Sequence, residues 1–265
     1  MSQLALALGD GAMVAKRNLI KIRRVPEVLI WTTMSPIMFV LLFAYVFGSA
    51  IEVRGVSYRE FLIAGVFAQT IVFGSTFTGA GLAEDMTKGI IDRFRSLPMA
   101  RSAVLVGRTA SDIFYNSTSL VVMSLAGLIV GWRIRTGVLE AIGGFLLLLV
   151  FSYAISWIMA YVGLKVSGVE VVQNASFMFI MPVTFVSNAF VPAESLPGPL
   201  QAFADWNPVS AVAQGAREAF GNVGIAPPDT WAMQNPVWYT LIWVALIMAV
   251  FVPLSVRQYK KAASR

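Results

Sequence analysis

The sequence contains no cysteine and no histidine. Without cysteine there can be no disulfide, no thiol nucleophile and no thiolate metal site. Without histidine the commonest general base and the commonest metal ligand are both missing. Charge is scarce too: 13% of residues are Asp, Glu, Lys or Arg, against about a quarter in an ordinary soluble domain. No GxxxxGK[ST] pattern occurs, so nucleotide is not bound through a P-loop. The apolar runs described below hold one carboxylate, Glu140, at the outer margin of its run, and no Ser–Lys pair is placed as a dyad. These absences leave no candidate catalytic centre and no metal site. They also argue against a proton- or sodium-coupled carrier, which keeps ionisable residues at membrane depth. Energy for uphill transport would then have to enter from outside the chain.

What is present is apolar: 57% of the 265 residues are hydrophobic, and several runs reach bilayer length, so the expectation is an all-α, multi-pass membrane protein. Six spans are read, at 28–47, 61–82, 102–130, 138–164, 171–191 and 237–254. Pro36 is placed to kink the first and Pro182 the fifth. The second carries Gly65, Gly74, Gly79 and Gly81, and the fourth a ladder of Ser152, Ser156 and Ala160, small residues that let helices approach closely in lipid. Gly127 and Gly131 form a GxxxG at the far end of the third. That third pattern runs about 43 Å at 1.5 Å per residue, longer than the hydrocarbon core, so its first turns should stand in the cytoplasm with Arg108 and Asp112 paired at i,i+4. Gln173, Asn174 and Asn188 in the fifth face either other helices or an aqueous path.

Residues 1–27 interleave Lys16, Arg17, Lys21, Arg23 and Arg24 with sparse apolar residues and read as an amphipathic helix on the inner membrane face. Segment 192–236 is too apolar for a solvated loop. Its prolines divide it into two short helices, near 198–205 and 209–220, that dip into the membrane or pack on the spans. One transmembrane domain over 1–265 results: interfacial helix 1–27, five spans over 28–191, a re-entrant outer segment at 192–236, then the sixth span and basic tail at 237–265. Fifteen of the 20 Lys and Arg fall on one side, all but Arg54, Arg59, Arg133, Arg135 and Arg217. The positive-inside rule therefore places both termini in the cytoplasm, with the protein in the plasma (inner) membrane. The net charge of +6 reflects that bias rather than a nucleic-acid footprint.

The longest charged interruption on the inner side begins at Glu84. At helical period Met86, Ile90, Phe94 and Leu97 share a face, with Glu84, Lys88, Asp92 and Arg95 roughly opposite and joined by i,i+3 and i,i+4 pairs. Ile91 and Arg93 break the pattern, and Pro98 ends it. An apolar face with a charged rim suits a helix docked in a partner's groove. A surface helix on lipid headgroups fits the same pattern.

Three features together resemble the permease subunits of ABC-2-type ABC transporters, in particular daunorubicin-resistance-type drug and lipid exporters. The first is the run E-x(4)-G-x(3)-R-x(3)-LP-x(2)-R formed by Glu84, Gly89, Arg93, Leu97, Pro98 and Arg101, followed by VLVGR at 104–108. The second is FVP-x(2)-SLP from Phe190 to Pro197, followed by Trp206-Asn207-Pro208 and Arg217. The third is the basic lead-in before six spans. The resemblance implies a second permease copy as partner and two separate P-loop ATP-binding subunits, which would hold ATP and Mg while this chain carries no cofactor. It implies that the segment from Glu84 and Asp85 to Arg101 is a coupling helix seated on the ATPase. It implies an outer gate that includes Pro192, Leu196, Pro197, Trp206, Asn207, Pro208 and Arg217. It also implies a substrate cavity between the two copies, for which Phe39, Phe43, Phe67, Phe73, Phe77, Phe177, Phe185 and Asn188 are candidates. A non-transporting membrane anchor or assembly protein is the alternative, and it would need neither cavity nor gate.

Overall fold

The computed structural model describes residues 34, 36–48, 51, 53, 55–90, 103–166, 168–224 and 230–262. Among these there are helices and connecting turns and no strand, as expected for apolar segments that must satisfy their backbone polar groups internally. In chain order the helices are α1 Pro36–Phe47 and α2 Tyr58–Thr87, α3 Ala103–Val130, α4 Val138–Lys165 and α5 Val169–Phe185, then α6 Gly198–Asp205, α7 Pro208–Phe220, α8 Trp231–Gln234 and α9 Pro236–Ala262. Four of them (α2, α3, α4 and α9) are long and apolar enough to cross a membrane, while α1 and α5 are shorter apolar helices. The amphipathic helix expected over 1–27 and the first part of the first span lie outside the described residues.

Helix α2 is the axis of the bundle. In its apolar window 83% of residues are buried, against 22% for the peripheral α9. Its glycines explain how neighbours come so close. A Cβ on Gly65 would strike the carbonyl of Ala189, one on Gly79 the carbonyl of Met159, and one on Gly163 of α4 the backbone of Gly79 itself. Without a hydrophobic driving force between helices in lipid, such backbone contact is a main source of association. A polar seam runs beside it. Asn116 Nδ2 donates to Ser152 Oγ at 2.6 Å, and Ser75 Oγ lies 3.1 Å from the Ser152 carbonyl. Ser75 also bonds back to the Ile71 carbonyl at 2.8 Å, at the point where α2 loosens for one residue. The expected ladder of Ser152, Ser156 and Ala160 is fully inside.

Several sequence expectations are corrected. The second span does not stop at Leu82: α2 continues for another turn to Thr87, because Glu84–Thr87 keep helical hydrogen bonding up to the Lys88 cap. The described start of the charged segment, Glu84–Thr87, is the last turn of α2, and the chain turns at Gly89, whose φ of 63° is left-handed; the expected coupling helix from there to Arg101 lies almost wholly outside the described residues. The fifth span ends at Phe185 rather than Val191. Asp112 is buried in the bundle and Arg108 is half-buried. Asp112 is 6% exposed, and Arg108 lies across Gly81 and donates to the Phe77 carbonyl at 2.9 Å. Gly131 is no packing glycine: it ends α3 at a positive φ, with open space around it. The sixth span runs on helically through the basic tail to Ala262, held there by buried Tyr259 in a cluster with Leu82, Leu105 and Trp157.

Candidate functional site

An aromatic pocket of about 270 Å³ opens beside α2. Phe39 of α1, Phe73 and Phe77 of α2 and Phe177 of α5, four of the residues named above as cavity candidates, line it within one chain. Two residues of α3, Tyr115 and Ser119, join them, so a fourth helix contributes that the sequence reading left out. Phe73 and Phe177 meet edge to face at 6.3 Å, and Phe77 meets Tyr115 at 5.2 Å. Polar groups are few: Gln69, Thr70 and Thr76 on α2, and the hydroxyls of Tyr115 and Ser119 on α3. The Thr70 hydroxyl is buried without a hydrogen-bond partner among the described residues. A recess of this kind, largely apolar with a few fixed polar groups, takes an apolar or amphipathic molecule and orients it weakly.

The other cavity candidates divide. Phe43 stacks on Phe39 at 5.2 Å, and Phe185 approaches Phe39 at 6.3 Å, with Phe190 packed against all three. Phe43, Phe185 and Phe190 thus pack on Phe39 but do not themselves line the pocket. Phe67 is elsewhere. It is fully buried among Trp132, Phe145 and Phe220, where α2 meets α4 and α7. Asn188 is not on a helix and faces inward. Its backbone N–H donates to Ser210 Oγ at 3.0 Å, and its side-chain oxygen accepts from Arg217.

The two short helices expected after the fifth span are present as α6 and α7, because each begins on proline chemistry. Pro197 caps α6 with a further proline in its first turn. Asn207 caps α7, its Oδ1 accepting from Val209 N at 2.8 Å, with Pro208 at the first helical position. The same Asn207 amide donates to the carbonyls of Val183 and Val186 at 2.7 and 2.8 Å. One side chain thus satisfies orphan carbonyls at the end of α5 and starts α7, which explains why α5 stops early. Trp206 remains exposed, its carbonyl accepting from the Tyr239 hydroxyl at 2.7 Å. Pro192 is buried just before a single helical turn at Ala193–Ser195, and Leu196 is half-buried after it.

Arg217 is the residue whose role the sequence concealed. Counted there among the outer arginines, it is 1% exposed. Its guanidinium donates to Phe61 O at 3.0 Å, Asn188 Oδ1 at 3.1 Å, Asn188 O at 2.7 Å and Ala189 O at 3.2 Å, and it lies 3.6 Å over the Phe61 ring. The planar fork of donors suits this task as an ammonium would not. It fastens α7 to the first turns of α2 and to the turn after α5. The advance signals were its place after Trp206-Asn207-Pro208 in the second motif and its position inside a short, largely apolar helix.

At the opposite end of α2, Glu84 and Lys88 form the expected i,i+4 pair at 2.6 Å, and Lys88 is exposed. Asp85 is buried. Met86, assigned from the sequence to an outward docking face, packs instead against the internal cluster of Leu82, Leu105 and Tyr259. Ile90 is half-buried beyond the Gly89 turn. Asp92, Arg93, Phe94, Arg95, Leu97, Pro98 and Arg101 lie outside the described residues.

The chain matches the ABC-2 type transporter family over residues 12–220. It is 35% identical over 245 residues to the Daunorubicin resistance ABC transporter permease protein DrrB1 of Streptomyces coeruleorubidus, an alignment covering 92% of this chain and 83% of that one. It is 26% identical over 231 residues to a Mycobacterium tuberculosis protein named "Probable doxorubicin resistance ABC transporter permease protein DrrC", covering 86% and 80%. With the apolar helices, the pocket on the central helix and the match over most of its length, this chain belongs to the ABC-2 type transporter family and is a membrane permease subunit of an ABC transporter.

Proposed function

We propose that the chain forms the membrane-spanning half of an ATP-driven exporter for apolar or amphipathic molecules of the drug or lipid kind. The observation that carries this reading is the aromatic pocket on α2, a helix that runs without a long break from the pocket wall at Phe73 and Phe77 to the charged turn at Glu84–Lys88. A rigid element that touches both a binding recess and a charged end can couple the two. The relatives' names, which speak of daunorubicin and doxorubicin resistance, support an amphipathic polycyclic cargo.

In this reading α1 and α5 complete a set of six spans with α2, α3, α4 and α9, and the whole chain is one transmembrane domain. Both termini lie in the cytoplasm, and the membrane is the plasma membrane, in keeping with the distribution of Lys and Arg. A second copy pairs with the chain, and two P-loop ATP-binding subunits supply ATP and Mg, so hydrolysis takes place outside this chain. Closure of the ATPases moves the segment from Glu84 to Arg101. Helices α2 and α3 transmit the motion, and α6 and α7 release the cargo at the outer side.

The test is native co-purification in mild detergent with ATPase activity read on the product. The expected result is one ATPase chain per permease, lost in the double variant Arg93→Glu, Phe94→Asp together with export. Unchanged ATPase binding and export in that variant would sink the coupling reading. Recovery of the permease alone, without nucleotide-dependent activity, would favour an anchor.

A further inference from the structure

A second recess, of about 410 Å³, lies where α4, α7 and α9 meet, and it shares no residue with the aromatic pocket. Its walls are apolar, with Leu147 and Val150 from α4 and Val237 and Leu241 from α9. Glycine makes it hollow. A Cβ at Gly144 would press on Ala219 and Phe220, so there α4 and α7 touch, whereas one at Gly143 would meet nothing within 4 Å. The groove is therefore open at Gly143 and floored at Gly144.

Among the described residues, Glu140 and Glu218 are the only charged ones that line it. Glu140 stands in the first turn of α4, so the acidic rim lies at the membrane boundary where that span begins. Glu140 Oε2 accepts from the Gly137 N–H at 2.7 Å, and Glu218 Oε1 accepts from Gln214 Nε2 at 3.3 Å. Neither carboxylate is ion-paired with a described residue. An apolar slot at bilayer depth beneath two carboxylates without cations is complementary to a hydrocarbon chain beneath an ammonium group.

We propose that this groove holds one acyl chain of an amine-headed phospholipid of the phosphatidylethanolamine class, with the ammonium between Glu140 and Glu218. The inference rests on α4 and α9 crossing the bilayer. It does not involve cargo or ATP, so its failure would leave the export reading untouched. A lipid seated there braces α7 against α4 and α9 from the membrane side, so membrane composition would bear on how firmly the α6–α7 pair is held.

Native mass spectrometry on the detergent-purified protein tests this, with phosphatidylethanolamine and phosphatidylglycerol of identical chains supplied in equal amounts. The wild type should retain the amine lipid over the glycerol lipid by about fivefold, the ratio that roughly 1 kcal/mol of partly exposed ion pairing gives. Glu140→Gln with Glu218→Gln should bring the ratio to about one while lipid is still retained, since the amides preserve both helix-local hydrogen bonds. Gly143→Leu points into open space and should remove bound lipid of both kinds without lowering the melting temperature. Equal retention of the two lipids by the wild type, or unchanged retention in Gly143→Leu, would overturn the proposal. Dissociation of a permease dimer by Gly143→Leu would also overturn it, by assigning the groove to a second copy.

Discussion

Replacing Arg217 by alanine removes a guanidinium that makes four hydrogen bonds at 2.7–3.2 Å and a face contact with Phe61. The Phe61 carbonyl belongs to α2 and keeps its helical role. The carbonyls of Asn188 and Ala189 sit in an irregular buried turn and have no helix to fall back on. Each buried acceptor left unpaired costs about 1–3 kcal/mol, and a desolvated cation–π contact is worth about 2 kcal/mol. The collapse of the site recovers part of this, so a net loss of roughly 4 kcal/mol is expected, within the range for breaking a buried charged cluster. For a chain of this size that is about 10 °C in melting temperature, read by fluorescence-detected gel filtration after heating in detergent. Arg217→Lys should fall between, since one ammonium cannot reach all four acceptors. Arg135→Ala, which removes the exposed partner of Glu60, should cost no more than about 1 kcal/mol after solvent screening. If Arg217→Ala melted within 2 °C of wild type, by the same scaling under 1 kcal/mol, the clamp would carry no weight and the reasoning would be wrong.

Gly81→Leu should drive Arg108 from its crossing over α2 and lower the melting temperature by several degrees, while Gly143→Leu, aimed into open space, should not. Gly89→Val forces a β-branched residue to a φ of 63°, costing about 1–2 kcal/mol locally; it should weaken ATPase co-purification more than it lowers stability. Phe73→Ala with Phe177→Ala enlarges the pocket and should reduce export of large aromatic cargo with little change in ATPase recovery, measured by dye efflux from vesicles. The Asp205 carboxyl is pushed above its ordinary range by burial and then by nearby Glu194. Its ionisation therefore opposes folding, so stability falls as pH rises through its folded value, and Asp205→Asn should stabilise at neutral pH with the difference vanishing in acid.

Four long apolar helices were legible because bilayer length and apolar continuity are local properties, and the α3 and α4 bounds fall within a residue or two of those read from the sequence. Helices α6 and α7 were legible for another local reason: Pro197, Pro199 and Pro208 fix where a helix can begin. The pocket was half legible. Phenylalanines spaced along three spans gave Phe39, Phe73, Phe77 and Phe177, but no periodicity separates these from Phe67, whose ring is consumed by packing against Trp132 and Phe220. Tyr115 and Ser119 were missed because a single tyrosine or serine in a span says nothing about which way it points.

The sequence by itself determined the class of molecule: helical, embedded in lipid, and similar along most of its length to transporter permeases. Composition and run length suffice for the helical, lipid-embedded class, since a bilayer admits few other solutions; the likeness to permeases rests on the motifs from Glu84 to Arg101 and from Phe190 to Arg217. Tertiary structure alone decided where the charges go. Arg217, Arg108 and Asp112 read as boundary residues by their place in the chain, yet Arg217 and Asp112 are buried and Arg108 is half-buried; Gly81 makes room for Arg108, and the Asn188–Ala189 turn supplies acceptors for Arg217. Burial of a charge depends on acceptors contributed by distant segments, and which segments meet is settled only when glycine-lined helices close on one another.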